Sequence, residues 1–420
     1  MDTKQFIQEH LHDDVHELAL KYHSNAKVDM ALALRQIEAR QLLRNKVPSW
    51  SANEDLLFPP HLSIEQCSSE TTAQYKASLL QGNTFADLTG GLGVDCFFIS
   101  QNFHHSVYVE QNPELCTLAE HNFSSLPPVW SVNPSGLRGA ERRGNLPKVN
   151  NDTAENYLDG CEPVDCLFLD PARRDSYGRK IVSIADCTPN VLALQDLLLE
   201  KAHRVMVKLS PMLDISKALM ELRHVKEVHV VAVANECKEL LFIMEQGFEG
   251  EPTLTCVNLQ TSQPVVQFQV SEERHDLPLG GEPSGCEGDT TDAFQHIQSY
   301  LYEPNAALMK AGCFRLIARR YGIQKLHPNS HLYTSENLIP DFPGRIFHVK
   351  DWAPFNKKLR QTLLVGVEKA SIATRNFPLS VAELRKIWKI ADGDQVFLFA
   401  TTISGEKTII VKALKAAELQ

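Results

Sequence analysis

No stretch of this 420-residue chain approaches the run of about 18 apolar residues that a membrane-spanning helix needs. Its beginning, Met1-Asp2-Thr3-Lys4-Gln5, lacks the basic segment and apolar core of an export signal. The expectation is a protein that is neither exported nor embedded in a membrane, and hence cytoplasmic. Ten cysteines are present without a single C-x-x-C pair, which argues against a zinc ribbon, a structural metal or a disulfide scaffold and for reduced thiols. There is no repeat of fixed period. With 43% hydrophobic and 22% charged residues, neither wholesale disorder nor a fibrous repeat is expected. At about 150 residues per domain, the length implies two to four domains.

The formal charge of −10 by itself disfavours a nucleic-acid partner. The average hides two unlike halves. Residues 294–420 hold 18 Lys+Arg against 10 Asp+Glu, net +8, whereas residues 1–293 hold 24 against 42, net −18.

Helical periodicity runs from residue 2 to about 47, carried by Phe6, Leu11, Val15, Leu18 and then Met30, Leu34, Ile37 and Leu42, and Pro48 is expected to end it. From Thr84 short apolar runs alternate with helix-like stretches, the pattern of β-α units feeding a parallel sheet. Strands are predicted near 84–88, 106–110, 147–150, 165–170, 204–209, 227–233 and 239–245. The last two have no helix-length segment between them, so the sheet should end in an antiparallel hairpin. Leu126–Lys148, with Arg138, Arg142 and Arg143, reads as a loop at the edge opposite the ligand crevice. Residues 271–293, acidic and rich in Gly and Pro, read as an inter-domain linker. Beyond it a segment around Leu301–Leu326 precedes a last unit with strands at Val396–Ala400 and Thr408–Val411 around Gly405.

The strongest local signal is Asp87-Leu88-Thr89-Gly90-Gly91-Leu92-Gly93, following an apolar strand and preceding a helix. Glycines there let the backbone approach a ligand, and the helix start offers unpaired N–H groups, although a plain tight turn looks the same. A dinucleotide fingerprint wants Gly or Ala three residues after Gly93, and Cys96 stands there. Asp87 suits a positively charged amino group better than a pyrophosphate. This favours S-adenosylmethionine over NAD. Glu110, ending the second strand, is placed to accept from ribose hydroxyls, and Asp152, after the third, from an adenine amino group. Singly, each reads equally as a surface carboxylate; their succession at strand ends points to one ligand. Asp170-Pro171-Ala172-Arg173-Arg174 ends the fourth strand, where the alternative is a turn-initiating Asp-Pro with solvated arginines, and Lys208 ends the fifth.

Asp87–Gly93, Glu110, Asp152 and Asp170-Pro171 resemble the successive motifs of class I S-adenosylmethionine-dependent methyltransferases. Leu62–Ala73 resembles the cofactor-contacting segment that precedes the first strand in some RNA methyltransferases. Over nearly its full length the chain is similar to a bacterial family of methyltransferase-like proteins with a helical N-terminus, a small ferredoxin-like domain and a C-terminal THUMP-like domain. The further matching pieces are Glu65–Glu70, Glu236–Glu239, Tyr302-Glu303-Pro304 and Arg375-Asn376-Phe377-Pro378.

The resemblance implies an α/β fold with a Rossmann-like methyltransferase sheet and small α+β C-terminal domains. The expected boundaries are a helical domain over 1–60, a methyltransferase domain over 61–270, the linker over 271–293, a ferredoxin-like domain over 294–344 and a THUMP-like domain over 345–420. It implies a cofactor site of Ser68, Ser69, Asp87, Thr89, Gly91, Gly93, Glu110, Asp152 and Asp170, and a catalytic group of Asp170, Pro171 and Arg173. RNA is the implied partner, contacted by Arg173, Arg174, Lys357, Lys358 and Arg375. Trp352, Phe355, Phe377 and Trp388 lie among the C-terminal basic residues, where aromatics serve either to stack on bases or to fill a small core. Two departures stand out: Thr89 replaces the usual first glycine, and Ala172-Arg173 replaces the Pro-aromatic pair typical of amino-group methylation. The alternatives are an inactive RNA-binding module of the same fold and a methyltransferase of a protein or small molecule.

Overall fold

The computed structural model describes residues 2–22, 27–126, 146–172, 183–274 and 296–416. Arg173, Arg174, the loop arginines Arg138, Arg142 and Arg143, and residues 275–293 of the acidic stretch lie outside the described residues. The chain forms two compact units, one of residues Met1–Val228 and Glu239–Gly250, the other of His229–Lys238 and Glu251–Gln420.

In the first unit, helices Thr3–Glu9, Val15–Lys21 and Met30–Leu43 bring Phe6, Leu18, Val28, Ala33 and Ile37 into one cluster, as the i, i+3, i+4 rhythm requires. Each begins at an aspartate whose carboxylate accepts the free N–H groups of the first turn: Asp2, Asp14 and Asp29. Pro48, expected to end the helical pattern, instead opens a short helix, Pro48–Ser51, at the first position, where its missing N–H costs nothing. Buried Arg40 donates to the carbonyls of Ser51, Asn53, Glu54 and Leu56 and so fixes the connection that follows.

The sheet of this unit contains β1 (Thr84–Asp87), β2 (His105–Glu110), β3 (Lys148–Asn151), β4 (Val164–Leu169), β5 (Ala202–Leu209), β6 (Val225–Val233) and β7 (Glu236–Glu245), in the order β3-β2-β1-β4-β5-β7-β6. β1 to β5 are parallel, and β7 runs antiparallel to β5 with Leu209 opposite Leu240. The methyltransferase-type order reverses direction at β1 and β4, where the connections leave on opposite sides and open a crevice at the carboxyl ends. All seven predicted strands are present, and the antiparallel end is where the missing helix placed it.

The second unit contains β8 (Thr253–Leu259) and β9 (Val266–Gln269), an antiparallel pair absent from the sequence expectation. Its main sheet has seven strands: β10 (Tyr300–Pro304), β11 (Gln324–Lys325), β12 (Tyr333–Ser335), β13 (Gly344–Pro354), β14 (Ser371–Arg375), β15 (Phe397–Ile403) and β16 (Lys407–Lys415), ordered β11-β12-β10-β13-β16-β15-β14. Every residue of β15 is buried. Phe397, Phe399 and Ile403 join a cluster with Leu301 and Phe347, whereas Leu398 and Ala400 join another with Leu384 and Trp388 of the helix Val381–Trp388. Both faces of this strand are therefore core.

Of the aromatics of the basic C-terminal stretch, Trp388 is a core residue and the other three pack half-buried against the core clusters. Trp388 is buried, Phe355 and Phe377 pack on the same cluster with ring centroids 5.1 Å apart, and Trp352 packs on the other. Trp388→Ala should cost about 3–5 kcal/mol of stability, the range for deleting a buried Trp. Chemical denaturation followed by a probe in this unit measures it, and a loss below about 1 kcal/mol would show that Trp388 is not a core anchor.

Candidate active site at the carboxyl ends of the parallel strands

β1 delivers Asp87 and the glycine turn. Gly90 donates its N–H to the Val109 carbonyl at 2.9 Å, and a Cβ at this position would sit 2.2 Å from the Tyr108 ring, so only glycine lets the turn close on β2. Gly91 and Gly93 have φ of +55° and +88°, the left-handed region, and Gly93 caps the helix Val94–Ser100. A side chain on Gly91 would point into open space, with only a backbone oxygen 3.8 Å away.

Glu110 ends β2 and holds this turn: one carboxylate oxygen accepts the Gly91 N–H at 2.9 Å and the other accepts the Asn112 N–H at 2.8 Å. The Tyr108 hydroxyl donates to the Gly91 carbonyl at 2.6 Å, and burial pushes that phenol above its ordinary pKa. Asp152, just past β3, accepts from the Thr153 N–H at 2.8 Å and from the Asn156 amide at 3.1 Å.

Thr89 joins two of these strand ends. The Thr89 N–H donates to Asp87 Oδ1 at 3.0 Å, and the Thr89 hydroxyl accepts the Asp170 N–H at 2.7 Å while lying 3.4 Å from Asp87 Oδ1. A glycine here would supply no hydroxyl, so the departure seen in the sequence is a link between β1 and β4. Asp87 is 1% exposed. Burial pushes its carboxyl well above the ordinary range; the Thr89 N–H opposes this, and the charges of Asp95, Asp170 and Glu110 add to it.

Asp170 Oδ2 lies 2.5 Å from Lys208 Nζ, making an ion pair across the ends of β4 and β5. Burial disfavours the charge on Lys208, but Asp170, Asp95 and Glu239 outweigh it and hold the ammonium above its ordinary pKa. Pro171 is buried and Ala172 is bridged by backbone hydrogen bonds to Thr188.

Behind the glycine turn lies a cluster that no local pattern announces. Lys76, on the helix Glu70–Leu79, is fully buried; its ammonium lies 2.9 and 2.8 Å from the Glu239 oxygens, 3.1 Å from Asp95 Oδ1 and 3.0 Å from the Ser68 hydroxyl. Ser68 donates in turn to Asp95 Oδ2 at 2.6 Å. Burial raises the Glu239 carboxyl against the pull of Lys76 and Lys208. Ser69 caps the helix that carries Lys76, accepting from the Thr72 N–H at 3.2 Å. Both serines are thus engaged by the protein itself, and the buried helix face that carries Lys76, with Thr72, Ala73 and Ala77, gives no sequence signal for it.

Of the other predicted residues, Lys357 and Lys358 are exposed. Arg375 pairs with Glu303, a buried carboxylate that also takes Arg345. Among the described residues no group of three or more His, Cys, Asp or Glu side chains is arranged to hold a metal ion, and no helix is long and apolar enough to cross a membrane.

Residues 300–343 match a family model described as a ferredoxin-like domain, and residues 344–413 match one described as THUMP domain-like. A crystal structure of a candidate methyltransferase from Porphyromonas gingivalis W83 is 34% identical, covers 98% of this chain and 97% of its own, and superposes with a TM-score of 0.81. An S-adenosylmethionine-dependent methyltransferase of Mycobacterium tuberculosis, from strains H37Rv and CDC 1551, is 22% identical over 327 residues, 77% of this chain and 78% of the relative.

Replacing Lys76 with Met leaves Asp95 and Glu239 buried without their cation. It should cost about 3–5 kcal/mol, the penalty for removing one partner of a buried ion pair. Urea denaturation reads this, and a loss under about 1 kcal/mol would mean the cluster is hydrated in solution.

Proposed function

Because the chain belongs to the family of S-adenosylmethionine-dependent methyltransferases that includes the Porphyromonas gingivalis protein, we propose that its methyl acceptor is a nucleotide of structured RNA, a tRNA or rRNA. The observation that carries the RNA assignment is the THUMP domain-like match over 344–413 within a segment of net charge +8.

The residues present suit the cofactor. Gly91 leaves room for it at the turn, and Gly93, whose φ is +88° and where a Cβ would meet the Phe123 ring at 2.9 Å, lets the turn pack closely enough to shape that space. Asp87 offers a buried carboxylate to the ammonium of its amino acid end, with Ser68, Ser69 and Thr89 shaping that end. Glu110 spends one lone pair per oxygen on a backbone N–H and keeps others for the ribose hydroxyls, and Asp152 is the acceptor for the adenine amino group. Bound there, S-adenosylmethionine supplies an already activated methyl group on a sulfonium. The chain's work is then to align it, exclude water and handle the acceptor's proton, with Asp170 and Pro171 at the strand end facing the acceptor. Lys357 and Lys358 would hold RNA phosphates, Arg375 would do so only by exchanging its Glu303 partner, and Arg173 and Arg174 are assigned the same role from the sequence.

Asp87 makes this testable with a definite sign. Its carboxyl is raised without ligand, and a cation seated beside it favours the ionised form, so binding releases a proton. Affinity should rise with pH from the ordinary carboxylate range, about 3.9, and level off once the raised value is passed. Calorimetry in buffers of different ionisation enthalpy should detect the released proton, and Asp87→Asn should abolish it and weaken binding about tenfold or more. Unchanged affinity in Asp87→Asn would place the amino acid end elsewhere.

For the RNA assignment, Lys357→Gln with Lys358→Gln should weaken binding of total tRNA and reduce the slope of log affinity against log salt by about 1–2. An unchanged slope would remove this surface from the RNA site.

A further inference from the structure

Resting on the RNA methyltransferase reading, we propose that the atom methylated is a hydroxyl oxygen, a ribose 2′-hydroxyl, and that Asp170 and Lys208 receive it. The two side chains stand at the carboxyl ends of adjacent parallel strands, where Leu169 lies opposite Val207. The Asp170 side chain is 35% exposed and that of Lys208 13%, so the carboxylate faces outward with the ammonium against it. Thr89 fixes the Asp170 backbone. Lys208 also lies in the field of Asp95, Glu239, Lys46 and Cys67, and within this mixed surrounding the carboxylates keep it an ammonium.

The donor and acceptor inventory of this pair selects the acceptor group. An ionised Asp only accepts, and a charged Lys only donates. A hydroxyl has one proton to give and lone pairs to receive, so it satisfies both partners at once. An exocyclic base amine has two protons to give and a lone pair delocalised into the ring, which leaves the ammonium with nothing to bind. Pro171-Ala172 also provides no ring on which a base would stack.

The chemistry then balances. The hydroxyl proton passes to the Asp170 carboxylate as the oxygen forms its bond to the methyl carbon. The carbon–sulfur bond breaks with its electron pair going to sulfur, which turns the sulfonium into a neutral thioether. Lys208 donates to the oxygen while negative charge develops on it, and Asp170 afterwards yields the proton to solvent.

The test uses the full chain, S-adenosylmethionine carrying a 13C-methyl group, and an extract of a strain lacking the gene. The carbon chemical shift of the product distinguishes O-methyl from N-methyl whatever the acceptor molecule, and ribonuclease treatment reports whether that molecule is RNA. The expected product is an O-methyl signal that ribonuclease moves into small oligonucleotides and that nuclease P1 with phosphatase, which need no 2′-hydroxyl, release as 2′-O-methylated nucleosides. An N-methyl or C-methyl signal overturns the proposal, and an O-methyl signal resistant to ribonuclease overturns the RNA reading while sparing the hydroxyl assignment. Lys208→Met should lower the transfer rate about a hundredfold, as for loss of a residue acting on the transferred proton or charge, with partial recovery in Lys208→Arg. Its affinity for S-adenosylmethionine by calorimetry should stay within about threefold of wild type. A wild-type rate in Lys208→Met, or a parallel loss of cofactor affinity, would remove Lys208 from this role.

Discussion

The ammonium of Lys76 is the constraint on which the candidate site rests. It is fully buried and meets Asp95, Glu239 and Ser68 at once. Lys76 sits on the helix Glu70–Leu79, and its partners come from three other stretches: the segment just before that helix, the helix after the glycine turn, and β7. Taking such charges out of water costs several kcal/mol per ion, returned only when every partner is in place. The arrangement is therefore close to all-or-none. It locks the start of the helix Val94–Ser100, and through it the glycine turn, in one position relative to the strand ends.

The same logic extends outward through hydrogen bonds. Thr89 ties Asp87 to Asp170, Glu110 ties the turn to β2, and Lys208 ties β4 to β5. The ends of β1, β2, β4 and β5 are thus held to one another by the protein's own groups. A preformed arrangement of this kind loses little in ordering on binding. One group is left poised by it: the Asp87 carboxyl is raised first by burial and then by the charges of Asp95, Asp170 and Glu110, so a cation beside it would favour its ionised form.

The strands of the first sheet were legible because apolar runs of strand length alternate with helical periods, and the hairpin because β6 and β7 leave no room for a helix. The carboxylates at strand ends were legible because topology alone puts them on one edge. What sequence could not supply was pairing at long range. Lys76 and Glu239 are 163 residues apart, and nothing local to either foretells the other. The family-matching pieces Tyr302-Glu303-Pro304 and Arg375-Asn376-Phe377-Pro378 are explained the same way: Glu303 is a buried carboxylate held by Arg345 and Arg375, and Asn376 bonds His327 from a left-handed backbone. The aromatics among the C-terminal lysines had two readings from composition, and only packing showed that Trp388 is core and that Trp352, Phe355 and Phe377 lean half-buried on it or its neighbour cluster. β8 and β9 went unseen because their short apolar runs carry no helix between them to mark a β-α unit.

The order of strands in the second sheet has a consequence for how a chain emerging from the ribosome acquires it. β16, residues 407–415, lies between β13 and β15. Until it arrives, β10 to β13 and β14 with β15 are two separate sheets, each with an open edge, and the apolar faces of β15 have only part of their cover. The joining of the second sheet is therefore deferred to a single late insertion, a step that brings together two waiting halves and removes two sticky edges at once. A chaperone that shields unpaired strands would find its target during that interval, and a chain stopped short of residue 407 would remain in it.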